Sequence, residues 1–92
     1  MSLTPVADIQ HTVAAHYGVP IRVLYNRELS REAIRARWVG MFLVHEVLGK
    51  GPVEIGRRFG RDHSTVGYAL KMVANDAALL GDVALLRARL AG

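Results

Sequence analysis

Apolar residues recur along this chain at spacings of three and four, the period of an amphipathic helix. Val6, Ile9, Val13 and Tyr17 form the first such stripe. Thr4 as N-cap and Pro5 at the first helical position open it, and Gly18 stops it. Val19-Pro20-Ile21 restarts a short helix through Val23 and Leu24 that ends near Asn26. Residues 26–30 form a polar connection. Ser30 then caps a long helix from Arg31 to Leu48, with Ile34, Trp38, Val39, Met41, Phe42, Leu43 and Val47 as its apolar positions. That stripe is wide enough for a central helix. Gly49-Lys50-Gly51 breaks it, and Pro52 opens a two-turn helix with Ile55 and Phe59 on one face. Gly60 ends this helix, and Asp62 or His63 begins the next, through Val66, Ala69, Leu70 and Val73. A final helix holds Leu79, Leu80, Val83, Leu86 and Leu90, with Gly81 near its start. No segment alternates with period two over a strand's length. The pattern predicts an all-α chain of five or six short helices, a single domain over 1–92.

The stretch from Pro52 to Leu70 has the spacing of a helix-turn-helix, two short helices meeting steeply across three or four residues. A close crossing needs a small residue on the first helix, where Gly56 stands. A tight corner needs a residue that tolerates positive φ, which Gly60 supplies. Ile55 and Phe59 from the first helix and Val66 and Ala69 from the second point inward. An ordinary helical hairpin ended by glycine is the plainer reading of the same residues.

Charge bears on the kind of partner. Twelve Lys/Arg oppose eight Asp/Glu, a net of +4. The excess is concentrated in the middle of the chain, because residues 22–71 hold nearly all of the basic residues, and most of those are arginine. Arginine forks match phosphate oxygens, so a basic middle points to a polyanion partner. Other classes are excluded. Without cysteine there is neither a disulfide framework nor a thiolate metal site. The longest apolar run, Trp38 to Val44, falls far short of the ~20 residues of a membrane span. The N-terminal residues lack the pattern of a secretory signal. The expected location is the cytoplasm, in association with the nucleoid.

At Phe59-Gly60-Arg61-Asp62-His63-Ser64-Thr65-Val66 the chain resembles the signature F-G-G-R-D-H-[ST]-T-V-x-x-A of the C-terminal DNA-binding domain of the bacterial replication initiator DnaA. Ile9-Gln10-x-x-Val13-Ala14-x-x-Tyr17 is similar to that family's opening helix. Ala36-Arg37-Trp38-x-x-Met41 is similar to its A-R-Q-x-A-M segment, and Glu54-Ile55-Gly56 to its E-I-G. The resemblance runs from about residue 6 to 75. It implies a Trp-repressor-like all-helical fold that binds double-stranded DNA through the helix beginning near Asp62, in replication initiation at an origin or DnaA box, or in transcription regulation.

Site residues follow from placement and resemblance together. The start of a recognition helix reaches base edges in the major groove, which nominates Arg61, Asp62, His63, Ser64 and Thr65. His63 can donate or accept there, Ser64 and Thr65 carry hydroxyls, and the Thr65 methyl can pack on a thymine methyl. Asp62 either accepts from a cytosine amino group or caps the helix, and Arg61 meets phosphate or a base edge. By resemblance, Arg37 and Lys50 contact the DNA backbone. Arg57 and Arg58 either touch phosphate or form a solvated face, and Arg87 and Arg89 are surface charges. Three departures from the family pattern stand out. One glycine of the usual pair before Arg61 is missing, which shortens the corner. Trp38 replaces the usual glutamine, so a polar backbone contact is lost or becomes stacking. Leu29 falls where the family carries a minor-groove arginine, leaving Arg27 and Arg31 as the nearby candidates and implying weaker binding to a DnaA box.

Enzyme readings fail on geometry. Asp62-His63-Ser64 has the letters of a hydrolase triad, but consecutive helical residues point ~100° apart. His11 and His16 do not share a helix face, and Gly49-Lys50-Gly51-Pro52 lacks the spacing of a phosphate-binding loop. No cofactor, metal or small-molecule substrate is expected, nor is the initiator's ATPase module expected within these residues. The rival from another class is a protein-interaction module that kept the fold and lost DNA binding. Its partner, or a second copy in a homodimer, would face Trp38 or the Leu79 to Leu90 segment.

Overall fold

The computed structural model describes residues 5–92. Five α-helices follow one another: α1 (Val6–Tyr17), α2 (Arg31–Leu48), α3 (Pro52–Phe59), α4 (His63–Ala74) and α5 (Ala77–Ala91), with a 3-10 turn at Ile21–Leu24 between α1 and α2. The periodicity of the sequence located every one. At the start of α1, Pro5 has extended backbone angles and is itself the N-cap rather than the first helical residue; the expected Thr4 cap lies outside the described residues. Ser30 caps α2 as its sequence implies, its hydroxyl accepting from the Ala33 amide at 3.2 Å.

α2 is the hub, packed against α1, α3, α4, α5 and the 3-10 turn. Its central position explains why its buried face is broader than its large apolar residues suggest. Ala33, Ala36, Gly40 and Val44 are fully enclosed beside Val39, Met41 and Leu43. Ile34, Trp38 and Phe42 sit at the margin, and Val47 is about a third exposed. The small residues let neighbouring helices approach. A Cβ on Gly40 would stand 3.1 Å from the Phe59 ring, so Phe59 of α3 sits directly over the α2 backbone. Phe59 joins Ile55, Val66, Ala69 and Val73 in the core, uniting both helices of the α3–α4 pair with α2.

α5 closes the molecule. Leu79, Val83 and Leu86 are buried, so most of the Leu79 to Leu90 stripe serves the core. Leu80 and Leu85 remain turned outward. Tyr17 at the end of α1 donates its hydroxyl to Asp82 at 2.6 Å, tying the first helix to the last. Burial, followed by that bond, pushes the Tyr17 phenol well above its ordinary pKa. No helix among the described residues is long and apolar enough to cross a membrane.

Candidate nucleic-acid interface

The corner between α3 and α4 consists of Gly60, Arg61 and Asp62. Gly60 adopts the left-handed conformation, φ 62°, which glycine enters without steric cost. The turn then folds back on α3, and the Arg61 amide donates to the Gly56 carbonyl at 2.9 Å. The return path explains Gly56: a Cβ there would lie 2.3 Å from the Arg61 carbonyl oxygen. It is therefore the backbone of the turn, and not a crossing helix, that excludes any side chain at position 56.

Asp62 is the N-cap of α4. Its carboxylate accepts from the Ser64 amide at 3.0 Å and from the Ser64 hydroxyl. Those bonds hold the Asp62 carboxyl below its ordinary pKa, Ser64's hydroxyl first and its amide second. Of the two readings of Asp62, the geometry displays the cap. His63, Ser64 and Thr65 follow at the exposed start of α4. The His63 ring lies 3.7 Å from the Asp62 carboxylate, an ion pair when the imidazole is protonated.

The arginines divide into two kinds. Arg27 and Arg31 are exposed at and beyond the 26–30 connection, and Arg57 and Arg58 are exposed on α3. Arg37 is the opposite, only 5% accessible. Its guanidinium donates to the carbonyls of Val23 at 2.7 Å, Asn26 at 3.4 Å and Glu28. This differs from the expected surface phosphate contact, because its fork is spent on backbone oxygens of the loop. Arg61 is half-buried and acts alike, donating to the carbonyls of Tyr25 and Phe59, each at 3.1 Å, and to that of Asn26. Burial lowers the pKa of both. The Arg61 charge adds to the effect at Arg37, and the Arg27 charge adds to it at Arg61. Two arginines thus clamp the connection that carries Arg27, Glu28 and Leu29, and they concentrate positive charge beside α4.

Arg37, Arg61 and Thr65 are brought together along one cleft, which Leu29 also lines. Leu29 is 79% accessible. Lys50 and Arg58 line a different cleft, near Pro5 and Val6, and the Lys50 ammonium is 3.5 Å from Glu54. Arg87 pairs with Glu46 at 3.6 Å.

Three residues escaped the site reading. Gln10 is buried and donates to the Arg58 carbonyl at 3.0 Å, and it accepts from the Tyr25 hydroxyl at 3.3 Å. A lone amide among Val6, Ile9, Val13 and Ala14 was the available signal. Tyr25 and Asn26, whose carbonyls receive the clamping arginines, carried none, because backbone acceptors are common to all residues.

Comparison with known proteins fits this geometry. The family described as the bacterial dnaA protein helix-turn-helix matches residues 6–73, a span that contains the clamped connection, the corner and nearly all of α4. The chain belongs to that family. It is similar to chromosomal replication initiator proteins DnaA from Rhodopseudomonas palustris, 39% identical over 90 residues (92% of this chain, 19% of the relative), and from Streptococcus mutans, 37% identical over 76 residues (82% and 17%). The DnaA of Caulobacter vibrioides is 36% identical over 92 residues, covering 95% of this chain and 19% of the relative. The chain spans less than a fifth of the length of these curated DnaA relatives. Its place in the DnaA family rests on the helix-turn-helix domain alone.

Proposed function

We propose that this domain binds double-stranded DNA sequence-specifically, presenting the start of α4 to the major groove, and that it acts at DnaA-type sites in replication initiation. The observation that carries this reading is the capped, exposed start of α4. There His63, Ser64 and Thr65 project beside a connection held by two arginines, with Arg27 on it and Arg31 just after it. His63 and Thr65 read base edges, while Asp62 fixes the first turn and leaves Ser64 partly engaged. Arg27, Arg31, Arg57 and Arg58 meet phosphates. Arg37 and Arg61 act through the loop they hold, with Arg61 close enough to the surface to add a phosphate contact. Lys50 is a weaker candidate, its charge shared with Glu54. Leu80 and Leu85 are too few for a strong partner surface on α5.

Selection of bound duplexes from a random pool, followed by titration at several salt concentrations, tests the reading. On the selected site, His63→Ala or Thr65→Ala should each cost ~1–3 kcal/mol and relax preference at one or two positions. Affinity of the unaltered protein should fall steeply as salt rises. Salt-independent binding, or no selected sequence, would overturn the proposal.

A further inference from the structure

The expected duplex contacts leave one surface feature unused. Tyr68 is 58% accessible and stands edge-on to Trp38 of α2, with ring centroids 6.0 Å apart and planes at 75°. Among the described residues, no protein group accepts a hydrogen bond from its hydroxyl. Tyr68 lies one turn beyond Ser64 and one turn before Lys71 on α4, and all three are exposed. Trp38 is half-buried against the core, whereas the exposed Tyr68 ring and hydroxyl are available to a partner.

Its surroundings indicate which part of a duplex that is. Trp38 and Tyr68 line the open cleft of about 270 Å³ between α4 and the 26–30 connection, together with Thr65, Leu29, Arg37 and Arg61. A helix is ~10–12 Å across and fills a major groove ~12 Å wide. A sugar–phosphate strand therefore runs along each side of an inserted α4. On the side of the connection, the cleft is the space left for that strand. Its walls suit the load: apolar faces for deoxyribose, a free phenol for a phosphate oxygen, and the charges of Arg37, Arg61 and Lys71 nearby.

We propose that the Trp38–Tyr68 pair is a strand seat. Tyr68 packs its ring against deoxyribose and donates its hydroxyl to one phosphate, and Trp38 fixes the orientation of that ring. The inference rests on the duplex-binding reading and deepens it by assigning a backbone contact to an aromatic pair. Because every nucleotide offers a sugar and a phosphate, the contact adds affinity without base preference.

Trp38 is the only tryptophan in the chain, so its emission reports the seat directly. Titration with duplex should change that emission at saturation. Tyr68→Phe retains the ring and removes one hydroxyl at an exposed position, so its thermal midpoint should be unchanged. Its affinity should fall roughly tenfold on selected and scrambled duplexes alike, the lower end of what a hydrogen bond to a charged group contributes. In a scan that replaces single phosphates by neutral methylphosphonates, one substitution should weaken the unaltered protein and leave Tyr68→Phe unaffected. Unchanged Trp38 emission with bound duplex, or full affinity in Tyr68→Phe, would overturn the strand seat while leaving duplex binding intact. Failure of the unaltered protein to bind any duplex would overturn both readings.

Discussion

Arg37 shows how one residue can be located correctly in a motif and still do different work. Its family position suggested a phosphate contact, yet its guanidinium is enclosed by the carbonyls of Val23, Asn26 and Glu28. Removing it leaves the buried Val23 carbonyl without this donor, a loss of ~1–3 kcal/mol, while Asn26 keeps its bond from Arg61. Arg37→Ala should therefore lower the stability of the DNA-free protein by at least that much in urea unfolding. Arg37→Lys should not restore it, since one ammonium cannot span three carbonyls as a planar fork does. An unchanged urea midpoint in Arg37→Ala would mean that the side chain is held only by DNA. The sequence marked the charge at position 37 but not its destination. The acceptors are backbone atoms of a connection whose path depends on the fold.

At the scale of elements, the helices were legible because their signals are local. Stripe spacing, Ser30 and Asp62 caps, and glycines at the ends fixed them within a residue or two. The buried breadth of α2 was less legible, since Ala33, Ala36 and Gly40 become core only when several helices surround them. Gly56 lies between these cases. Its role as a small residue was readable from the motif, but the atom it makes room for, the Arg61 carbonyl oxygen, was not. Overpacking ordinarily costs ~1–3 kcal/mol, and backbone yields less readily than a side chain. Gly56→Ala should reach the upper part of that range despite the better helix propensity of alanine. Thermal unfolding measures it, and a raised midpoint would show that the corner opens freely. Gly67→Ala on α4 is the natural control, because a Cβ there meets nothing within 4 Å.

Across the whole molecule, the ends of the helical array are joined by a titratable contact. The Tyr17 hydroxyl donates to Asp82, and His16 lies 3.8 Å from the same carboxylate. With its pKa raised in the folded state, the phenol holds its proton more tightly folded than unfolded. Its stabilising contribution is therefore complete below the unfolded value of about 10 and declines as pH rises above it. Between neutral pH and strong alkali, the thermal midpoint should fall more steeply for the unaltered protein than for Tyr17→Phe. Parallel profiles would show that the bond does not couple α1 to α5. Sequence reading could not supply this pair, because Tyr17 and Asp82 meet only through packing of the first and last helices.

Gln10 has a practical consequence for anyone dissecting the domain. Its amide grips the Arg58 carbonyl near the end of α3, 48 residues away, and receives the Tyr25 hydroxyl beside the clamped connection. The opening helix is thus an internal brace for the corner and the loop. A shortened piece starting after Gly18 would keep every residue nominated to touch DNA, yet it would lose the brace and the apolar cover of α2. Grafting this reader onto another protein therefore requires the chain from α1 onward, and joining it at α2 should yield a graft that has the motif without its shape.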